Sequence, residues 1–487
     1  MWMISPLISL LGGLLIPLFR SRTCRNCFTE IVTCLSAVLA ILLSFTGTSE
    51  ISLFSVTPAF SVAFRLDATG RVFLLLISVL WPLAALYAME YMRHEPRSST
   101  FFLFYTLSFG ITQLLILSAN LFTLYLFYEC LTLITLPLVS LHEDQHSISA
   151  GMVYLKFSVG GAALGLLAVI ALSVFGAGGG FTMGGLLSPE AVSGHETLLR
   201  AIFLLAFIGF GAKAAVFPLS FWLPRVSVAP TPVTALLHAV AVVNAGVFSV
   251  LRLIYDCFGT ALLAGSWAQE AALWLSAFTV AFGSVMAVRE HHLKRRLAWS
   301  TVANLSYMLF SASLMTPAGH TGSLLHLCFH GIMKFILFGC AGAIQLRTGR
   351  EYLEDLRGLF RQMPFTVSVF FLSALALTGI PPLIGFVSKW QILNAAVELS
   401  TPGAWGGAAA LLLSSVLCAA YLLSPAVQMI FLRPGQPGGV SSPDGALRSD
   451  PGWQIKITLG LLSLLLLFLS FFSSAFISFL ASAAFGG

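Results

Sequence analysis

Charge is what this sequence has least of. Of its 487 residues only 9% are Asp, Glu, Lys or Arg, while 58% are hydrophobic, against roughly 25% charged in an ordinary soluble domain. A chain so poor in charge cannot clothe a water-facing surface, and no stretch is long or polar enough for a soluble catalytic domain. It also lacks the period-2 alternation of an outer-membrane barrel. Cys24 and Cys27 form one C-x-x-C without a second pair to complete a zinc or iron–sulfur site. The other six cysteines lie in apolar segments as small core residues. No nucleotide-binding glycine motif and no haem ligation pattern occurs, so no cofactor and no metal site is expected. The net charge of +6 comes with no basic domain, which removes nucleic acid as a partner. No charged region precedes the first apolar run, so residues 1–19 read as a span and not as a signal peptide.

What the sequence does have is apolar runs of about 20 residues, the length of a spanning helix. The expected fold is an all-α polytopic membrane protein. The runs number fourteen: 1–19, 28–47, 70–91, 101–118, 120–141, 151–175, 199–218, 231–255, 268–288, 298–315, 322–345, 364–397, 406–431 and 455–482. If the first loop is cytoplasmic, the cytoplasmic loops hold seventeen Lys and Arg, Arg433 and Arg448 among them. The opposite side holds four: Arg65, Arg71, Arg200 and Arg252. That asymmetry fits the positive-inside rule and predicts both termini on the outer side of a prokaryotic plasma membrane.

Four basic residues fall inside spans: Lys156, Lys213, Lys334 and Lys389. Glu129 is the acidic residue deepest in a span, whereas Glu30 and Glu90 lie nearer to span ends. A charge at the bilayer centre costs about 2.5–3.5 kcal/mol on insertion scales. Lys156, five residues after Gly151, is equally well explained by reaching to the interface. Glu129, Lys213, Lys334 and Lys389 are candidates for proton transfer, because desolvation and a movable carboxylate push a lysine in opposite directions. His326, His330 and Lys334 recur at i, i+4 and i+8 along one face of the eleventh span, and His238 lies in the eighth. Buried structural ion pairs and hydrogen-bonded core histidines are the competing reading.

Two spans hold helix breakers beside their lysines. The seventh reads GFGAKAAVFPLSFWLP, and the twelfth reads LTGIPPLIGFVSKWQIL. Broken helices in corresponding positions point to inverted repeats. The expected division is residues 1–100 (spans 1–3), 101–255 (spans 4–8), 268–431 (spans 9–13, inverted relative to the first unit) and 432–487 (a cytoplasmic loop and the final span). Ordinary proline kinks are the alternative.

The stretches SANLFTLYLFYECLTLITLPLV, GFGAKAAVFPLSFWLPRVSVAPTPVTALLHAVAVVNAGVF, KRRLAWSTVANLSYMLF, HLCFHGIMKFILFGCAG and GIPPLIGFVSKW resemble the antiporter-like subunits of respiratory complex I. They are equally similar to those of Mrp-type sodium/proton antiporters and membrane-bound energy-converting hydrogenases. The resemblance covers roughly residues 60–430 in order. It implies a fourteen-helix fold with two inverted five-helix repeats and interrupted seventh and twelfth helices. It also implies that Glu129 pairs with Lys213, that Lys334 is the central lysine and that Lys389 stands on the exit side, with His238 and His330 along the axis. Asn244 stands where several relatives have lysine, and the resemblance gives it the holding of water. An Mrp D-like or hydrogenase-type subunit fits best. The implied function is proton translocation, with or without sodium, driven by neighbouring membrane subunits of a redox complex. The alternatives are an Mrp-type antiporter subunit without redox chemistry and, more weakly, a self-sufficient carrier.

Overall fold

A computed structural model describes residues 3–46, 50–57, 60–176, 178–431 and 450–485. The loop expected to carry Arg433 and Arg448 lies outside them, as do Met1 and Trp2 of the first span. The main helices are α1 (Ile4–Leu15), α2 (Arg22–Ser44), α3 (Ala68–Tyr91), α4 (Ser98–Ile116), α5 (Leu121–Val139), α6 (Gln145–Phe175) and α7 (Glu196–Gly211). They continue with α8 (Thr231–Phe258), α9 (Trp267–Arg289), α10 (Leu293–Ser313), α11 (Pro317–Thr348), α12 (Pro364–Thr378), α13 (Ile384–Leu399), α14 (Pro402–Phe431), α15 (Trp453–Phe471) and α16 (Ser473–Phe485). Among the described residues ten helices are long and apolar enough to cross a membrane, and α12 is apolar but shorter. The chain is a polytopic helical membrane bundle.

Helix starts follow from short polar side chains that accept from otherwise unpaired backbone N–H groups. Asp67 accepts from Gly70 at 2.8 Å, Asn120 from Thr123 at 2.8 Å and Asp144 from Ser147 at 2.6 Å. The two innermost helices are α8 and α11, whose apolar windows are wholly buried inside the protein. Their packing is close: a Cβ on Gly331 of α11 would stand 3.0 Å from the Ala239 carbonyl oxygen of α8. A helix with no lipid-facing side has no need to be apolar all round, and these two carry the buried histidines and one of the buried lysines.

The interruptions expected in the seventh and twelfth spans are present: α7 ends at Gly211, ahead of a turn to a short helix at Trp222–Arg225, and α12 and α13 are separate helices flanking the turn at Gly379–Leu383. Two expectations need correction. The segment read as one final span divides at Phe472 into α15 and α16. The fold is also not purely helical. Ile51–Thr57 and Phe60–Phe64 form an antiparallel hairpin, pairing Ile51 with Phe64 and Ser52 with Ala63. Its β-branched and aromatic residues suit a half-buried ribbon, and it is too short to stand out in a hydropathy window.

Arg252 is the third correction. Counted among the outer-side charges at the end of the eighth span, it is instead buried in α8, 1% exposed. Its guanidinium donates to both oxygens of Asp67 at 2.5 Å and to Asp256 at 2.9 Å. Asp67 at the head of α3 is thereby tied to the end of α8. Arg252→Leu should cost about 3–5 kcal/mol, because two carboxylates would lose their shared cation. Thermal unfolding in detergent checks this, and adding Asp67→Asn and Asp256→Asn should restore most of the loss.

Candidate functional site

The site is built around the interruptions of the bundle. After α7 the chain leaves helical geometry, with Ala215 at φ 55° and a turn that runs through Phe217-Pro218 to a short helix, Trp222–Arg225. The break frees carbonyl groups, and one of them, on Ala212, accepts from the Trp222 indole at 2.8 Å. Helix α8 can press against the break because it presents Gly246. A Cβ there would stand 2.5 Å from the Ala214 nitrogen.

Lys213 is fully buried in this break. Its ammonium donates to the Tyr128 carbonyl oxygen of α5 and lies 3.4 Å from the centroid of the Tyr128 ring. The ring is held in turn by its hydroxyl, which donates to the Phe210 carbonyl at 3.0 Å. Glu129, the next residue, is half-buried and within electrostatic reach of Lys213. Among the described residues no ion pair joins them, and Glu129 Oε1 is buried without a hydrogen-bond partner. The two expected partners are therefore neighbours held apart, with Tyr128 occupying the ammonium.

In α8 the residues Leu236–Val240 form a π-helical turn, an irregularity frequent at functional sites. His238 sits on it, fully buried, its ring 4.8 Å from that of Phe338 on α11. Neither ring nitrogen of His238 has a partner among the described residues. Asn244 donates to the carbonyls of Ala239 at 2.9 Å and Val240 at 3.3 Å. Its place is thus explained by the acceptors that the π turn leaves over.

The second half is more continuous. Lys334, fully buried on α11, donates to the Leu297 carbonyl at 2.9 Å and to the Ser300 hydroxyl, both on α10. His330, one turn away, has both ring nitrogens buried and unpartnered, and lies within electrostatic reach of Lys334, His326 and His238. His326 bridges three helices, with Nε2 3.2 Å from Asn304 Oδ1 on α10 and Nδ1 2.9 Å from the Ser388 hydroxyl on α13. Lys389 follows Ser388 and turns back onto the end of α12. It donates to the carbonyls of Leu377 at 2.9 Å and Thr378 at 3.0 Å, and to Ser415 of α14 at 3.2 Å. A helix C-terminus carries partial negative charge and favours a cation there. Gly379, at φ 93°, ends α12 in the left-handed region and leaves only 3.2 Å between a would-be Cβ and the lysine stem. Tyr307 lies under Lys389, 5.5 Å from ring centroid to ammonium, and donates to Ser414 at 2.5 Å.

The structure thus groups His238, His330, Lys334 and Lys389 with His326, and leaves Lys213 with Glu129 in a second group. Lys156 belongs to neither: it is exposed on α6. Sequence reasoning missed Tyr128, Ser300, Asn304, Tyr307, Ser388 and Ser415. Asn304 and Tyr307 were visible as polar residues in an apolar run, and Ser388 as the neighbour of Lys389. The Tyr128 contact is made by a backbone carbonyl and leaves no mark in the sequence. Lys294 was missed as well. It is 5% exposed in the first turn of α10, within electrostatic reach of His238, and lines an open cavity of about 290 Å³ with His94, Glu95 and His142.

Comparison with known proteins agrees with this architecture. The family model described as NADH:quinone oxidoreductase/Mrp antiporter, TM, matches residues 118–417, and that for the complex I chain 5 N-terminus matches residues 53–102. Hydrogenase-4 component B of Escherichia coli K12 is 32% identical over 352 residues, 69% of this chain and 51% of that protein. NADH-quinone oxidoreductase subunit N of Desulforudis audaxviator is 30% identical over 399 residues, 80% of this chain and 78% of that one. A chain of the Mrp complex from Dietzia sp. superposes with a TM-score of 0.83 at 21% identity, covering 99% of this chain and 97% of that one, a likeness of fold. The chain spans about half the length of several curated relatives that it matches. With the family matched over most of the bundle, and a relative matched over most of both lengths, the chain belongs to the NADH:quinone oxidoreductase/Mrp antiporter family of membrane subunits.

Proposed function

We propose that this protein is a proton-translocating subunit of a multisubunit membrane complex. In this reading protons move along Lys213, His238, His330, Lys334 and Lys389, and neighbouring subunits of a redox complex drive the movement. The observation that carries it is the company of the buried lysines. Lys213, Lys334 and Lys389 donate to carbonyl and hydroxyl oxygens, and none has a carboxylate within 4.0 Å among the described residues. Such a lysine can give up its proton without stranding a buried anion, whereas breaking a tight pair typically costs about 3–5 kcal/mol. The two histidines without partners, His238 and His330, lie within electrostatic reach of Lys334 and serve as its acceptors, and in this reading water bridges the gap to Lys213. The cavity at Lys294 supplies an entry from one face.

Glu129 is assigned the role of a switch: when its carboxylate approaches Lys213 the ammonium is held, and when it withdraws the proton is released. Residues 101–255 and 268–431 are read as two inverted five-helix units, each broken beside its lysine. Residues 1–100 and 432–487 flank them. The membrane is the plasma membrane of a prokaryote, with both termini outside. Glu129→Ala and Lys213→Ala should each lower coupled transport by at least about tenfold, equivalent to ~1.4 kcal/mol at the barrier, with assembly retained. Near-normal transport by either assembled variant would refute the switch.

The second reading is an Mrp-type antiporter subunit, supported by the family model, whose description names the NADH:quinone oxidoreductase and the Mrp antiporter alike. Identification of subunits that co-purify with the tagged chain separates the two. Iron–sulfur partners with nickel- or flavin-binding partners place it in a redox complex, and small membrane partners alone place it in an antiporter.

A further inference from the structure

A half-buried acid with one buried, unpartnered oxygen lies apart from the lysine axis, in the amino-terminal helices. Glu30 is the ninth residue of α2, about 12 Å along the helix at ~1.5 Å per residue. Its position near a span end suggests a side chain reaching back to the interface, but the geometry is the reverse. Glu30 Oε1 lies 3.5 Å from the Cys34 thiol, one turn deeper into the bundle. The other oxygen, Oε2, is buried and has no hydrogen-bond partner. Among the described residues Glu30 forms no ion pair within 4.0 Å. Arg25, one turn back on the same helix, is turned onto the Phe102 ring, 5.3 Å from its centroid.

An independent observation comes from α3 and α4. Tyr105 of α4 is fully buried, its hydroxyl has no partner, and it lies within electrostatic reach of Glu30. Trp81 of α3 packs against it with ring centroids 5.5 Å apart, and its indole N–H is likewise buried and unpartnered. Two donors and one carboxylate oxygen, on three helices, are thus buried without protein partners, a cost of about 1–3 kcal/mol each if nothing satisfies them. Glu90, the acid within α3, is engaged elsewhere, accepting from Ile455 N at 3.2 Å. Helix α1 contributes only hydroxyls nearby. Ser5 and Ser9 join Ser36 of α2 and Gln113 of α4 in a hydrogen-bonded cluster.

We propose that Glu30 is a second protonatable site of this protein, its carboxyl joined through bridging water to the Tyr105 hydroxyl, separate from the lysine axis. The ligand is a proton. A neutral carboxyl can donate as well as accept, so it satisfies its surroundings in either state through the bridge. The proton resides on Oε2, and its release leaves a carboxylate that Tyr105 O–H stabilises through the same water. This does not rest on the lysine axis acting as proposed, since a carboxyl can titrate in a protein that transports nothing.

Infrared difference spectroscopy of the full-length protein in lipid, between about pH 5 and about pH 9, the range into which buried carboxyls move, tests it. A protonated-carboxyl stretching band should be lost on raising the pH, should be absent in Glu30→Gln, and should shift in Tyr105→Phe. Glu30→Asp, which keeps the carboxyl, should retain a displaced band if the glutamine variant fails to fold. Dicyclohexylcarbodiimide, which reacts with protonated carboxyls in apolar surroundings, should label the peptide carrying Glu30, with at least about tenfold less labelling at the alkaline end, as for a group passing through its titration. Spectra of wild type and Glu30→Gln that superimpose, or labelling of Glu30 that is independent of pH, would overturn the assignment and leave Glu30 as a fixed structural acceptor.

Discussion

Lys334→Met should lower proton translocation by the assembled complex at least about tenfold, a loss of ~1.4 kcal/mol or more of barrier lowering, and Lys334→Arg should be as inactive as methionine. The pair of variants separates two roles that a buried cation can have. Methionine keeps most of the volume of the stem and removes the charge. Arginine keeps the charge but cannot lose its proton in a protein. If Lys334 served only as a fixed positive charge, arginine would rescue. If it takes and releases a proton, arginine must fail. The contacts favour the second outcome. The ammonium donates to the Leu297 carbonyl and the Ser300 hydroxyl, acceptors that stay satisfied when it becomes an amine, and His330 stands one helical turn away with no competing partner. Transport measured in proteoliposomes of the intact complex, with assembly checked by subunit content, decides it. Robust transport by the arginine variant would sink the proton-carrier role.

How much of this was legible beforehand varies from residue to residue, for physical reasons. Lys213, Lys334 and Lys389 announced themselves because a charge inside an apolar run is expensive and rarely accidental. The interruptions beside Lys213 and Lys389 were legible because proline and glycine act on the backbone directly. Hydroxyls were not. Ser300, Ser388 and Ser415 look in sequence like Ser249 or Ser284, each of which donates to the carbonyl one turn back in its own helix. Only packing distinguishes a serine that satisfies itself from one that also meets a lysine, as Ser300 and Ser415 do, or a histidine, as Ser388 does. Arg252 was misread because an arginine near a span end ordinarily reaches water, and its partner Asp67 stands 185 positions away. Glu30 was passed over for the same reason. Its distance from the span end was underestimated, since the helix starts at Arg22 and not at residue 28, and the direction of its carboxylate is set by Cys34 and by the helices around it. The inverted repeat was suggested by the two broken spans and not by residue identity, and the paired strands Ile51–Thr57 and Phe60–Phe64 went unseen because they are too short to stand out in a hydropathy window.

Reconstituted alone in liposomes, the protein should show at most a slow proton leak and no sodium-coupled exchange, and restoring its neighbouring membrane subunits should raise coupled transport at least about tenfold. The argument is energetic. A path of titratable groups conducts in one direction only if something changes their relative proton affinities in step, and a partner can do so only through a differential interaction with two states of the chain. Both ends of the path offer such a handle. Lys213 and Lys389 stand beside helix interruptions, where a small rotation of α7 would move Lys213 off the Tyr128 carbonyl and a small rotation of α12 would withdraw the Leu377 and Thr378 carbonyls from Lys389. Near Lys213, Glu129 is only half-buried, with one oxygen unengaged, so a charge brought to the α5 surface by a neighbour would be felt there. Near Lys389, Trp390 is 54% exposed on the outer side of α13, within reach of whatever packs against it. A subunit that shifted either group would change the charge on its lysine, and along the proposed path the histidines would pass the change on. Without such a neighbour the two states stay in fixed balance, and protons move only down their own gradient. Vigorous coupled exchange from the single chain would show that its own conformational cycle supplies the two states, and would favour a self-sufficient carrier over a driven subunit.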